Sequence, residues 1–245
     1  MITIDKTTYQ AKSFNERVRF LVLHYTERNL EESIALLTGD KVSIHYLVSD
    51  TAPEHIFQLV AESERAWHAG NSKWQGRNNI NDSSIGIEIV NLGFTYDSAG
   101  NVTWHPYPPE QIDVVISLSQ NIISRYNIDP TCIVAHSDIS PGRKIDPGPL
   151  FPWKQLYQKN IGAWYANKDV EFFYPLIDLS NILAIQQKFQ KYGYNIELTG
   201  VLDEQTKNVI ISFQLHFRPN NFSGLVDIET IAILEALLKK YNRVT

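Results

Sequence analysis

A chain of 245 residues with 43% hydrophobic and 20% charged content has enough apolar material for a sizeable core, and its length favours two domains over one. The net charge of -5, from 22 basic and 27 acidic residues, argues against the basic face of a nucleic-acid binder. The lone Cys132 excludes an internal disulfide and, inside Cys132-Ile-Val-Ala135, reads as buried and inert. No stretch approaches the roughly 20 apolar residues of a membrane span, and Met1-Ile-Thr-Ile-Asp-Lys6 has neither the charged nor the apolar region of a signal peptide, so the chain as written reads as soluble.

In chain order, Val18–His24, Ser43–Val48, His55–Val60, Ser84–Val90 and Cys132–His136 read as strands, which predicts a sheet of about five. Asn29 followed by Glu32 resembles a capping box that opens a helix closing near Gly39. Pro109 opens a second helix with Ile112, Val115, Ile116 and Ile123 on one face. Together these predict an α/β domain over residues 1–165, a mixed central sheet flanked by helices. Residues 166–179, with Phe172, Phe173 and Pro175, are too aromatic for a free linker and are expected to pack against one or both domains.

Residues 180–245 change to helical periodicity and contain a repeat. Thr199-Gly-Val-Leu-Asp203-Glu-Gln-Thr206 aligns with Ser223-Gly-Leu-Val-Asp227-Ile-Glu-Thr230. In each copy the Gly makes a turn and the Asp accepts the first free amides of the next helix. Apolar positions at Ile182, Ile185 and Phe189, then Val209, Ile210, Phe213 and Phe217, then Ile231, Leu234 and Leu238 predict a small three-helix C-terminal domain. Its core is only just large enough to stand alone.

Three polar residues occupy places that a sheet interior tolerates poorly. His24 closes Phe20-Leu-Val-Leu23 and His136 closes Cys132-Ile-Val-Ala135, so both imidazoles project from strand ends toward a shared cleft. Asp146 lies in a loop stiffened by Pro141, Gly142, Pro147 and Gly148. Two neutral imidazoles and a carboxylate suit a zinc ion that keeps one position open, although seven histidines produce some such pair by chance, and packing alone also explains them. Glu88 interrupts the apolar strand Ile85–Val90, sharing a face with Gly86 and Val90. Such a carboxylate marks either a cleft or a solvent-facing edge.

The blocks Val22-Leu-His-Tyr-Thr26, Ser43-Ile-His-Tyr-Leu-Val48, Arg65-Ala-Trp-His-Ala-Gly70, Asn81-Asp-Ser-Ser-Ile-Gly-Ile-Glu88 and Ala135-His-Ser-Asp-Ile-Ser-Pro-Gly-Arg-Lys-Ile-Asp-Pro-Gly-Pro149 resemble, in order, those of the type 2 N-acetylmuramoyl-L-alanine amidases. The C-terminal repeat resembles the peptidoglycan-binding module that outer-membrane lipoprotein members of that family carry, so the likeness covers nearly the whole chain. It implies the type 2 amidase fold, shared with peptidoglycan-recognition proteins, and one zinc ion held by His24, His136 and Asp146. It also implies Glu88 as the catalytic carboxylate and Lys144 as its cationic partner.

The implied activity is hydrolysis of the bond between N-acetylmuramic acid and L-alanine in peptidoglycan or muropeptides, by a monomer in the periplasm, attached to the outer membrane through an N-terminal lipid anchor absent from this sequence. The C-terminal domain then acts as a tether on the wall. Two rival readings remain, a muropeptide-recognition protein without activity and a cytoplasmic amidase of recycled anhydro-muropeptides. Tyr25, Trp67, His68 and Asn81 are candidate substrate contacts on the cleft wall. His45 and Asp138 read as supporting residues, and His55, His105 and His216 as ordinary surface or packing residues.

Overall fold

The computed structural model describes residues 2–241. Along the chain run β1 (Phe20–Tyr25), α1 (Leu30–Leu37), β2 (Tyr46–Val48), β3 (Ile56–Gln58), β4 (Lys73–Trp74), β5 (Arg77–Asn78), β6 (Ser84–Ile89), β7 (Phe94–Tyr96), β8 (Val102–Trp104), α2 (Pro109–Tyr126), β9 (Ile133–Ala135) and α3 (His136–Ile139). There follow α4 (Trp153–Gln158), α5 (Asn167–Phe173), α6 (Ile182–Tyr192), α7 (Glu204–Phe217) and α8 (Ile228–Tyr241). The five-stranded sheet has the order β3-β2-β6-β1-β9, with β3 antiparallel and the other pairings parallel. It is the mixed sheet expected, and the segments β4–β5 and β7–β8 add two small hairpins that lack a strong alternating pattern in sequence.

Every residue of β1 is buried, as a central strand covered on both faces requires. Asn29 caps α1 by accepting from the Glu32 amide, as its position foretold. α2 begins at Pro109 and buries Ile112, Val115, Ile116 and Ile122. The expected fifth strand ends one residue early. His136 is the first residue of α3, because the Asp138 carboxylate accepts from the Ala135 amide at 2.8 Å and turns the chain into a helix there.

The repeat is built around two fully buried glutamines. Gln186 on α6 accepts from the Gly200 amide and donates to Thr199, Val201 and Thr206, while Gln214 on α7 accepts from the Gly224 amide and donates to Leu225 and Thr230. Asp203 and Asp227 cap the following helices through Thr206 and Thr230. Each helix thus clasps the turn that starts the next. The core of the three helices is also continuous with that of the sheet domain. Phe189, Tyr194, Phe213 and Phe217 join Trp74, Trp153 and Trp164 in one apolar cluster that runs through both parts of the chain. The aromatic segment after residue 165 forms α5 and lies against α8, where Lys239 reaches Asp169 at 2.7 Å.

Candidate metal centre and cleft

Parallel pairing of β1 with β6 sets His24 directly beside Glu88 at the carboxyl ends of the central strands. The first turn of α3 brings in His136, and the loop after it returns Asp146, whose carbonyl oxygen accepts from the Ser137 amide at 3.0 Å. Three ligand atoms converge: His24 Nδ1 lies 2.9 Å from His136 Nδ1, and Asp146 Oδ2 lies 3.1 and 3.0 Å from them. All three side chains are buried, and among the described residues they form the one cluster with the spacing of a metal site.

The chemistry of this donor set tests whether a cation belongs there. His136 Nε2 donates to the Ala69 carbonyl at 3.2 Å, which turns Nδ1 toward Asp146 and His24. His24 Nε2 lies 2.9 Å from His68 Nδ1, and His68 Nε2 lies 3.0 Å from the Ser84 hydroxyl. That relay holds the His24 ring with Nδ1 turned toward His136 and Asp146. Burial, helped by the neighbouring His136, pushes the His24 imidazole down to about 4, so it is neutral at physiological pH. Burial alone would raise the Asp146 carboxyl, but His136 and His24 more than offset it and hold it well below the usual carboxylate range. Two imidazole nitrogens and a carboxylate oxygen turned on one another at this spacing form a donor set that a divalent cation can bridge. The residues fit zinc: two neutral imidazoles and one carboxylate are the ligand types of an open, three-ligand site.

Glu88 is half-buried, and its Oε2 is shielded from solvent without a hydrogen-bond partner. Burial and the negative charge of Asp146 push its carboxyl well above the ordinary value, with Lys144 opposing. Lys144 is exposed on the loop before Asp146, near enough for its charge to act on Glu88. The rise identifies a carboxyl placed beside the ligand cluster rather than at a solvent-facing edge.

The four candidate substrate contacts separate. Trp67 is 52% exposed. His68, expected on the cleft wall, is instead buried behind His24 because it completes the hydrogen-bond relay to Ser84. Asn81 is also buried, and its side-chain oxygen accepts from the His68 and Ala69 amides at 3.1 and 2.7 Å, so it shapes the loop that carries His68. Tyr25 is buried with its ring against Gly93 and Gly148 and its hydroxyl without a partner. Burial, then Asp146 and Glu27, push that hydroxyl far up, so it stays protonated. His45 supports the site as expected, its Nδ1 accepting from the Gly86 amide at 3.0 Å.

Three further contributors carry no sequence signal of their own. Gly86 admits the His68 ring, for a Cβ there would lie 2.7 Å from His68 Nδ1 and 2.5 Å from Ile44 Cδ1. Arg143 donates to the Ala69 and Asn71 carbonyls and to Ser140, tying the loop of Asp146 to the segment behind His136. His216, read as an ordinary packing residue, pairs with Asp138 at 2.7 Å. Nothing in the pattern Ile85-Gly-Ile-Glu88 shows that a ring packs on Gly86, and the other two depend on contacts between distant segments.

Residues 14–149 match the N-acetylmuramoyl-L-alanine amidase family, and residues 178–234 match a peptidoglycan binding domain. N-acetylmuramoyl-L-alanine amidase AmiD of Escherichia coli strain K12 is 44% identical over 248 residues, which span 97% of this chain and 88% of that protein. 1,6-Anhydro-N-acetylmuramyl-L-alanine amidase AmpD of Enterobacter cloacae is 40% identical over 102 residues, 42% of this chain and 49% of that protein. The solved complex of E. coli AmiD with anhydro-N-acetylmuramic acid-L-Ala-D-gamma-Glu-L-Lys has a TM-score of 0.88 at 44% identity, covering 96% of this chain and 94% of that one. AmpDh3 of Pseudomonas aeruginosa, solved with anhydromuramic pentapeptide, has a TM-score of 0.91 at 42% identity, covering 98% and 99%. With its ligand cluster, its mixed sheet and its clasped helical repeat all falling within these matches, the chain belongs to the N-acetylmuramoyl-L-alanine amidase family and carries a peptidoglycan binding domain.

Proposed function

We propose that the chain hydrolyses the amide bond between N-acetylmuramic acid and L-alanine in peptidoglycan and its muropeptides, with one zinc ion held by His24, His136 and Asp146. The observation that carries this reading is the meeting of three possible ligand atoms within 3.1 Å of one another, beside a carboxyl that has no partner of its own. Zinc bound there supplies a Lewis acid and lowers the pKa of water toward 7.

The chain's own residues do the rest. Glu88, its affinity for protons raised by burial, takes the proton of the attacking water and afterwards delivers it to the departing alanine nitrogen. Lys144 supplies positive charge from the loop against the negative charge that builds on the carbonyl oxygen. Trp67 offers an exposed aromatic face to the glycan or peptide. The complete ligand set favours an enzyme over a binding protein. The second domain supports a place at the insoluble wall, on the periplasmic side, rather than among soluble fragments in the cytoplasm.

The test is mass spectrometry of sacculi digested with and without a chelator. Free stem peptides beside intact glycan strands, lost on chelation and restored by zinc, are expected. Cleavage between sugars, or full activity in the chelated protein, overturns the reading.

A further inference from the structure

We infer that the peptidoglycan binding domain is a working part of the metal centre, because it fixes His136 through Asp138, and that Asp138, His216 and Tyr194 are therefore positioning residues for the zinc site. The inference rests on the metal-site reading above and adds to it a role for the second domain.

Asp138 lies one turn into α3, two residues past His136, and is 1% exposed. Its two oxygens receive three donors. Oδ2 accepts from the Ala135 amide at 2.8 Å and from His216 Nδ1 at 2.7 Å, and Oδ1 accepts from the Tyr194 hydroxyl at 2.6 Å. The first contact sets where β9 ends and α3 begins, and so where His136 leaves the sheet. The other two come from the second domain, His216 from α7 and Tyr194 from the segment after α6. A carboxylate this deeply buried needs its donors, and two of the three lie on the far side of the domain boundary.

Both donors are themselves held rigidly. The His216 ring stacks between Trp153 at 3.8 Å and Phe217 at 4.0 Å between ring centroids. Tyr194 packs edge-on against Trp74, with centroids 4.8 Å apart. The adjoining Gly193 carbonyl accepts from the Gln75 amide at 2.8 Å, a third bond across the same boundary. At its other end the turn is fixed by the Ser137 amide on the Asp146 carbonyl. His136 is thus aimed from two sides, by the loop of Asp146 and by the second domain. A tether would need neither contact, because holding the enzyme on polymer requires only a linker.

The test uses the full chain. His216→Phe keeps an aromatic ring between Trp153 and Phe217 but removes the donor to Asp138. His216→Asn places an amide donor near the position of Nδ1 and serves as the rescue. Tyr194→Phe removes the other donor with its ring retained. Zinc affinity is measured by competition with a chromogenic chelator, and site geometry by the visible spectrum of the cobalt-substituted protein. Alongside these, thermal unfolding of the metal-free protein and sedimentation with sacculi are recorded.

Loss of an outer partner of a metal ligand costs about tenfold to a hundredfold in metal affinity. His216 acts one step further out, through Asp138 and the Ala135 amide, so His216→Phe is expected to weaken zinc binding by up to about tenfold and to alter the cobalt spectrum, with Tyr194→Phe smaller, His216→Asn closer to wild type, and sedimentation unchanged. Unchanged affinity and spectrum in His216→Phe and Tyr194→Phe, whatever happens to the melting temperature, would mean that the contact is only glue between domains, and the inference fails. A wild type that binds no zinc overturns the metal-site reading itself, and this inference with it.

Discussion

Two buried polar regions in this chain are built on opposite terms. In the helical repeat, Gln186 and Gln214 meet neighbouring amides, carbonyls and hydroxyls through both ends of their side chains. At the carboxyl ends of β1 and β6, two imidazole nitrogens and a carboxylate oxygen crowd within 3.1 Å and the Glu88 Oε2 has no partner. Burying a polar group without a partner costs on the order of 1–3 kcal/mol, so an unpartnered carboxyl beside a ligand cluster calls for an explanation. Satisfied glutamines hold the helical turns in place, whereas the unpartnered Glu88 Oε2 sits beside the ligand cluster.

The largest effect that would break this contrast falls on Glu88. Glu88→Gln keeps the size of the side chain and removes its ability to carry the proton. Turnover of a soluble muropeptide should fall by about 10²–10⁴-fold, while zinc content by elemental analysis stays at one per chain. Zinc lost with activity would make Glu88 a ligand and shift the boundary of the unsatisfied region.

Gly86→Ala sharpens the comparison from behind the metal. The added methyl collides with the His68 ring and with Ile44, so the relay that holds His24 must shift. A chelator titration should show zinc affinity reduced by about tenfold to a hundredfold, as expected when the outer partner of a ligating imidazole is lost. The complementary change in the repeat is Gln214→Leu, which strips partners from the Gly224 amide, the Leu225 carbonyl and the Thr230 hydroxyl. It should cost about 2 kcal/mol of unfolding free energy by denaturant titration, with zinc affinity within about twofold of wild type. If Gln214→Leu empties the metal site while Gly86→Ala leaves it full, the division between the two regions is drawn in the wrong place.

How much of this was legible in sequence follows from the range of the forces involved. β1 and β6 are recorded in local periodicity, as are the Asn29 cap and the Gly-x-x-Asp-x-x-Thr turns, because each depends on residues a few positions apart. The ligand cluster was legible only as polar residues at strand ends in an order that resembles a family. His68 and Asn81 stand in two separate blocks that read as cleft wall, and only the parallel register that puts Ser84 and Gly86 beside β1 turns His68 behind His24. The pairing of Asp138 with His216 crosses 78 positions, and no local pattern encodes it. The shared core escaped for the same reason, since the apolar face of a short helix does not say whether its partner is another helix of the repeat or Trp74 of the sheet domain.

The smallest expected effect concerns a second glutamate, which isolates the role of partners. Glu62 accepts from the Tyr46 and Tyr126 hydroxyls at 2.7 Å each and pairs with Arg125. Burial pushes its carboxyl up, but these donors outweigh burial and hold it below the ordinary value, the reverse of the direction at Glu88. A carboxyl lowered in the folded state adds stability at pH above its unfolded pKa, and that stability is lost as pH falls through the folded value. Glu62→Gln should therefore cost no more than about 1 kcal/mol at neutral pH, with the difference from wild type shrinking as the pH drops below about 4.5. Urea titrations of both proteins across that range measure it. A gap that widened toward acid would mean that Glu62, like Glu88, is a carboxyl the fold leaves unsatisfied.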